Sequence, residues 1–187
     1  MKINKNYIIE NLKTIFYALV IALIIRSFLI QPFYIPSSSM EPNLLVGDRI
    51  FVTKYSYGYS KHSLPFSPPI INNRIFWNSP KTGDIIVFKT PSDNRTDYVK
   101  RLIGLPGDTI QFIDGDLFIN SNQILKSRIS QIDRIYCGDK TIKVNTFEEK
   151  LENGKTHKTV YLKNYGFQNS DIFVVPEKHY FFLGDNR

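Results

Sequence analysis

The chain opens with a long apolar run. The segment from Thr14 to Ile25 carries no charge, and after Arg26 hydrophobic residues resume as far as Ile30. The run from Leu12 to Ile30 approaches the ~20 residues that are needed to cross the hydrocarbon core of a bilayer, provided that the Arg26 side chain extends to the membrane interface. The pattern predicts one N-terminal transmembrane helix.

The direct alternative to an anchor is a cleavable signal peptide, because a basic start before an apolar run is the signature of both. Large or charged residues stand where a small-x-small cleavage site is needed, so an uncleaved anchor is favoured. Only Arg26 follows the span before Arg49, whereas three lysines precede it: Lys2, Lys5 and Lys13. This bias predicts a cytoplasmic N-terminus and an extracytoplasmic body.

After residue 30 the pattern changes to short β-branched and aromatic runs broken by Gly, Pro, Asn and Asp, which predicts an all-β body over residues 31–187. The triplet Asp114-Gly115-Asp116 predicts a hairpin. Tyr57–Pro80 is predicted as a long loop whose apolar side chains dock either on the body or on the bilayer surface. The predicted strands are 49–54, 84–89, 97–103, 109–113, 117–120, 140–147, 159–162, 172–175 and 180–183.

Length and composition bound the remaining possibilities. A chain of 187 residues with 42% hydrophobic content suits one well-cored domain with an appended segment, here residues 1–30. The net charge of +7 suits nucleic acid or an anionic membrane, but the cations are scattered, which argues against nucleic acid. The single cysteine, Cys137, excludes an intrachain disulfide, and neither a metal nor a cofactor is predicted.

The strand beginning at Tyr98 carries two adjacent cations and runs into a Gly-Pro-Gly turn. Lys100 and Arg101 fall on opposite faces, and both faces are otherwise apolar, so one cation is expected to face inward. Chemistry favours Lys100, because a desolvated ammonium loses its proton while a guanidinium does not. A neutral lysine can take the proton from a serine hydroxyl. The serines at 37–39 could supply it, although a polar linker is the simpler interpretation of that run taken alone.

The three histidines, His62, His157 and His179, stand in loop-like contexts without an acidic residue at a suggestive spacing. We expect them on the surface, outside any catalytic role.

Several motifs occur in a characteristic order along the chain: Arg26-Ser27-Phe28, Pro32 to Pro42, Gly47-Asp48, Gly83 to Phe88, Tyr98 to Asp108, and Gly184-Asp185-Asn186-Arg187. By these motifs the chain resembles the bacterial type I signal peptidase (leader peptidase) family. The resemblance implies a mainly antiparallel β catalytic body with one transmembrane helix. It also implies a serine endopeptidase of the bacterial cytoplasmic membrane that removes signal peptides from secretory preproteins at Ala-x-Ala sites, without a cofactor.

The resemblance also implies residue roles. Ser39 is the nucleophile and Lys100 the general base, and the backbone N–H of Ser39 and the hydroxyl of Ser37 are the oxyanion donors. Small pockets for the cleavage sequence are expected from apolar residues flanking the two motifs: Phe33, Ile35, Pro36, Met40, Leu44, Tyr98 and Val99.

The chain departs from the family pattern in three places. Ser38 stands where Gly is frequent, and Asn43 where Thr is common. The family pattern continues past Arg187 into a further serine that orients the lysine and into a closing strand, whereas this sequence stops there. One expectation is therefore a truncated, catalytically impaired membrane protein that only binds signal sequences. Self-cleaving repressors share the Ser and Lys chemistry, but the predicted anchor and the absence of a helix-turn-helix pattern argue against them.

Overall fold

The structure of the chain is a computed structural model that describes residues 5–65, 67–136, 140–161 and 168–187. Cys137 and Leu162 lie outside the described residues. The chain forms two compact units, one of Met1–Phe33 with Arg49–Ser79 and one of Tyr34–Asp48 with Pro80–Arg187. The predicted boundary after residue 30 falls inside the first unit and stays a prediction.

The first unit begins with the apolar helix. Helix α1 spans Lys5–Ile24 and continues as one π-helical turn over Ile25–Leu29. Its large apolar side chains are exposed along its length, and the segment Asn6–Leu29 is long and apolar enough to cross a membrane. The prediction of one N-terminal apolar helix is confirmed.

Two short strands and a long loop complete the first unit. Strands β1 (Ile30–Tyr34) and β2 (Arg49–Thr53) form a two-stranded sheet. Strand β1 was not predicted, because Pro32 lacks the amide donor of a regular strand and interrupts the pattern. The predicted loop from Tyr57 contains only a 3-10 turn at Lys61–Ser63 and an isolated bridge between Tyr59 and Ile75 among its described residues.

Among its described residues, the second unit is built from three antiparallel sheets. The strands are β3 (Ile85–Lys89), β4 (Asp97–Gly104), β5 (Thr109–Ile113), β6 (Asp116–Ile119), β7 (Asn122–Gln123), β8 (Leu125–Tyr136), β9 (Lys140–Lys150), β10 (Thr156–Tyr161), β11 (Phe173–Val174) and β12 (Phe181–Leu183). The sheet orders are β12-β4-β3, β11-β5-β6-β7 and β10-β9-β8. The mainly antiparallel β prediction is confirmed.

Aliphatic and aromatic residues of β4, β5 and β6 meet in the core of this unit, with Ile103, Ile110 and Leu117 almost fully buried. The predicted hairpin between β5 and β6 is present. Its two central residues, Asp114 and Gly115, have φ of 49° and 78°, the positive values that a tight two-residue turn requires. The hairpin aligns β5 and β6 for the core, which supports the neighbouring β4.

Candidate functional site

The serine run forms the first part of the site. Ser37 has an extended backbone and precedes a 3-10 turn over Ser38–Met40. The first amides of such a turn have no acceptor within it, so the Ser39 N–H lies free of the turn's own hydrogen bonds. The Ser37 Oγ lies 3.3 Å from the Ser39 Oγ. Two hydroxyls and one backbone donor are thereby grouped at one point.

Lys100 on β4 reaches this point from the neighbouring sheet. Its Nζ donates a hydrogen bond to the Ser39 Oγ, although 61 residues separate the two in sequence. The side chain is half-buried, opposite Ile86 of β3, and its Nζ lies 5.8 Å from the Tyr98 ring centroid. Burial lowers the pKa of Lys100, and the charge of Asp185 opposes that shift only in part. A lysine with a lowered pKa next to a serine hydroxyl is suited to accept the proton of that hydroxyl.

This environment predicts a pH dependence of any reaction in which Lys100 acts as the base. Because the active form is the neutral amine, kcat/KM is expected to rise with pH and to level off above a midpoint lower than the ordinary lysine value of 10.5. The rise is lost as pH falls through the lowered pKa of Lys100. Initial rates on a soluble peptide, with Lys89→Met as a matched lysine replacement in the same sheet, measure it. A flat profile with chemistry rate-limiting contradicts a lysine base.

The second cation of the strand is also buried. Arg101 is only 7% exposed, and its Nε and Nη2 donate to the two carboxylate oxygens of Asp185, each at 2.8 Å. Asp185 is fully buried. The prediction that only one of the two cations faces inward is therefore wrong, because Lys100 is half-buried on one face of β4 while Arg101 is buried on the other, where a buried carboxylate compensates the guanidinium.

The C-terminal motif Gly184–Arg187 contacts the backbone carbonyls of the serine turn. The backbone N–H of Asn186 donates to the carbonyl of Ser39 at 3.2 Å, and its side-chain amide donates to the carbonyl of Ser38 at 3.1 Å. Gly184 packs so closely on the Ser39 carbonyl that a Cβ there would overlap it. These contacts fix the backbone that carries the nucleophile candidate.

Asn43, which follows the serine turn in sequence, connects it to the buried carboxylate of Asp185. Its Nδ2 donates to Asp185 Oδ2 at 2.7 Å and to the Lys158 carbonyl at 2.6 Å. The departure from Thr at this position thus has a structural role, because the longer amide reaches two acceptors at once.

A second buried ion pair lies beside the first. Arg187 Nη1 lies 2.7 Å from Glu149 Oε1, and Tyr161 donates its hydroxyl to the same carboxylate. Burial opposes ionisation of Glu149, but the charge of Arg187 with the neighbouring His157 and Tyr161 outweighs it and lowers the pKa of Glu149 to about 2.

His157 corrects the expectation that all three histidines are surface residues. It is 6% exposed, and its Nε2 lies 3.4 Å from Glu149 Oε2 and 4.0 Å from Asp185 Oδ1. The prediction failed because Glu149 is its partner across the β9–β10 ladder, which local spacing does not reveal. His62 is half-buried and His179 exposed.

The predicted pocket residues differ in exposure. Ile35 and Met40 are buried at 2% and 1%, and line the interior of the second unit. Leu44 and Val99 are half-buried, and Pro36 and Tyr98 are exposed. Phe33 is half-buried in β1 of the first unit. The structure thus brings Ser37, Ser39 and Lys100 together, with Tyr98 beside the lysine, and the pocket assignment stays a prediction.

Among the residues that the structure describes, no group of three or more His, Cys, Asp or Glu is placed to hold a metal ion. The chemistry available at the site is that of a hydroxyl, an amine and nearby hydrogen-bond donors.

Comparison with known proteins identifies the family. The family model described as "Signal peptidase, peptidase S26" matches residues 8–187. Proteins named "Signal peptidase I" from Rickettsia akari and Rickettsia canadensis are 44% and 43% identical, over 91% and 94% of this chain. The chain spans 66% and 68% of the length of these two relatives. By this match along nearly its whole length, the chain belongs to the signal peptidase family, peptidase S26.

Proposed function

We propose that this chain carries the catalytic dyad of a membrane-anchored serine endopeptidase that removes N-terminal signal peptides from secretory preproteins. The observation that carries the proposal is the hydrogen bond from the Lys100 amine to the Ser39 hydroxyl. Family membership supports the reaction class, and the lowered pKa of Lys100 supports its role as base. No cofactor takes part in this chemistry.

The proposed reaction uses each group in turn. Lys100 Nζ takes the proton of the Ser39 hydroxyl as the Oγ bonds to the carbonyl carbon of the scissile peptide. The tetrahedral intermediate collapses when the resulting Lys100 ammonium donates that proton to the leaving amine. Lys100 Nζ, now neutral, takes a proton from a water molecule, and the resulting hydroxide attacks the acyl ester and releases the signal peptide with a new carboxylate. Lys100 ends neutral again after passing its proton back to the Ser39 Oγ.

The negative charge that develops on the carbonyl oxygen needs donors already in place. We assign this role to the Ser39 N–H and to the Ser37 hydroxyl. The assignment is supported by the position of Ser39 in the 3-10 turn and by the 3.3 Å between the Ser37 Oγ and the Ser39 Oγ.

Replacement of Ser37 by alanine is expected to lower kcat by about 10²–10³-fold, because one of the two oxyanion donors is lost while the other remains. KM is expected to change little, since the donor acts on the transition state. The effect is measured by the kinetics of the Ser37→Ala variant beside those of Ser38→Ala, which removes the hydroxyl of the next residue. An equal loss in both variants contradicts the assignment to Ser37.

Substrate choice follows from pocket size in this proposal. Apolar residues flanking the dyad motifs are proposed to line pockets that admit the small side chains of an Ala-x-Ala sequence: Phe33, Ile35, Pro36, Met40, Leu44, Tyr98 and Val99. A pocket of this kind discriminates by excluding bulk.

The test of the proposal is cleavage of a preprotein by the chain reconstituted in lipid vesicles. Three preproteins are compared: one with an Ala-x-Ala site and two in which Leu replaces either the first or the second Ala. The new N-terminus of each product is determined by mass spectrometry. We expect cleavage directly after the second Ala of the Ala-x-Ala site and no cleavage of the two Leu substrates. Cleavage elsewhere, or equal cleavage of all three substrates, contradicts the proposal.

The membrane arrangement belongs to the same proposal. Residues 1–30 are proposed as a cytoplasmic N-terminus and a single-pass anchor in the bacterial cytoplasmic membrane, and residues 31–187 as the extracytoplasmic catalytic part. The apolar helix and the lysines before it support this arrangement. Lipid bilayer and secretory preproteins are then the partners of the chain, and nucleic acid is not.

A further inference from the structure

The loop of the first unit exposes large apolar side chains. Phe76, Ile70 and Trp77 are 80%, 76% and 50% exposed. We call this stretch, residues 55–79 without the undescribed Phe66, the apolar loop. Single exposed apolar residues are ordinary, but a concentration of them in one loop marks an interaction surface.

The loop is a built structure, held by specific hydrogen bonds. The backbones of Tyr59 and Ile75 exchange two hydrogen bonds of 2.8 Å. Arg74 Nη1 donates to the carbonyls of Tyr57 and Gly58, at 3.3 Å and 3.1 Å. Gly58 allows the closest approach, because its φ is +81° and a Cβ would overlap the carbonyl oxygens of residues 75 and 76. The apolar side chains are thereby presented on a defined backbone.

Phe76 itself has a φ of 54°, a conformation that bulky residues rarely adopt. Such strain persists only where the surrounding structure enforces it, and it is concentrated at functional positions. The two preceding residues, Arg74 and Ile75, make the hydrogen bonds described above, so the exposed ring of Phe76 directly follows a fixed stretch of backbone.

The base of the loop is tied to the last turn of the apolar helix. The Tyr59 hydroxyl donates to the Phe28 carbonyl at 2.9 Å, and the two rings lie 5.7 Å apart. The Lys54 N–H donates to the Leu29 carbonyl at 3.0 Å. The 24 residues Asn6–Leu29 rise about 36 Å as a helix, slightly more than the ~30 Å of a hydrocarbon core. Phe28 therefore falls at one membrane surface when the helix spans the bilayer.

We propose that the apolar loop lies in the headgroup region of the bilayer, with Trp77, Phe76 and Ile70 in contact with lipid. The inference rests on the proposed membrane anchoring, which fixes the depth of Phe28. Trp is favoured at this depth because its ring is amphipathic. The Arg74 guanidinium lies 5.7 Å from the Trp77 ring centroid, so a cation accompanies the ring where anionic phosphates lie.

Trp77 is the single tryptophan of the chain, so its fluorescence reports on this loop alone. The full chain is reconstituted in phosphatidylethanolamine and phosphatidylglycerol vesicles and recovered by flotation, with Trp77→Phe as the blank. Quenching is measured with lipids brominated near the headgroup or near the chain end, and with aqueous iodide. We expect the strongest quenching from the shallow bromolipid and weak quenching from iodide.

A pair of variants tests the neighbours of Trp77. The double replacement Ile70→Ser and Phe76→Ser is expected to reduce shallow bromolipid quenching several-fold. Leu125→Ser, which removes a side chain that is 70% exposed in the second unit, is expected to leave it unchanged. Quenching of Trp77 in the unaltered chain tests the proposal by itself, so the proposal can be decided even where the double variant fails to fold.

The outcomes separate this inference from the anchoring on which it rests. Flotation together with full iodide quenching and no bromolipid quenching overturns the inference and leaves the anchor intact. Failure to float overturns both. A third outcome is that iodide quenches Trp77 in vesicles without peptide and no longer does so once a signal peptide is added. That result assigns the apolar loop to substrate binding and also overturns the inference.

Discussion

Lys100→Met is expected to abolish preprotein cleavage, with a loss on the order of 10⁴–10⁶-fold in kcat, the range found when one member of a catalytic nucleophile–base unit is removed. The methionine is of similar length and apolar, so it fills the half-buried site on β4 without leaving a charge. What is lost is the amine that hydrogen-bonds to the Ser39 hydroxyl. Ser39→Ala is expected to give an equal loss.

The double variant sharpens this prediction. Ser39→Ala combined with Lys100→Met is expected to be no worse than either single variant, because the two residues act as a unit. Lys89→Met is the matched control, since Lys89 belongs to β3 of the same sheet and forms an ion pair with Asp97 at 2.8 Å. Full activity of this control, with unchanged circular dichroism in all variants, excludes a folding defect. A near-normal rate in Lys100→Met contradicts the dyad.

Asp185→Asn is expected to destabilise the second unit by about 3–5 kcal/mol, because it leaves the buried Arg101 guanidinium without its counter-charge. The same carboxylate accepts from Asn43 and thereby holds the serine turn. Activity is expected to fall along with the free energy of unfolding. Urea unfolding of the solubilised chain, followed by circular dichroism, measures the first effect.

The pairing is tested by a cycle with Arg101→Met. The losses of unfolding free energy in the two single variants are expected to add up to more than the loss in the double variant. The reason is that the double variant contains neither buried charge. Asp185→Asn carries a second readout, since removing this carboxylate removes a charge that raises the pKa of Lys100. The pH–rate midpoint of its residual activity is therefore expected to move to lower pH. If the loss of unfolding free energy in the double variant equals the sum of the losses in the single variants, a direct ion pair between Arg101 and Asp185 is contradicted.

Much of the fold follows from local pattern. The apolar run, the alternating strands and the Asp114-Gly115 turn depend on residues close in sequence. The structure contains the apolar helix and the turn, and each predicted strand overlaps an observed strand among the described residues, although several bounds differ. Strand β8 was missed because its residues are mostly polar, such as Lys126-Ser127-Arg128, and its conformation is set by pairing with β9. Long-range pairing is information that alternation of apolar residues does not contain.

The site divides in the same way. The proximity of Ser39 and Lys100 was expected only from resemblance to a family, since 61 residues separate them. The Arg101–Asp185 pair joins residues 84 apart and has no local signal. His157 likewise was expected on the surface because Glu149 faces it only through the register of β9 and β10. Buried ion pairs of this kind depend on tertiary packing, which spacing along the chain does not predict.

The most direct test of the dyad is the site of covalent capture. The vesicle-reconstituted chain is treated with an Ala-x-Ala peptide that ends in a serine-reactive phosphonate, and the adduct is located by mass spectrometry. We expect one adduct, on the Ser39 Oγ. It is absent from Ser39→Ala, forms at least about 10³-fold more slowly in Lys100→Met and forms at the unaltered rate in Lys89→Met. An adduct on another residue, or labelling of Lys100→Met at the unaltered rate, contradicts the assignment of Ser39 as nucleophile and Lys100 as its base.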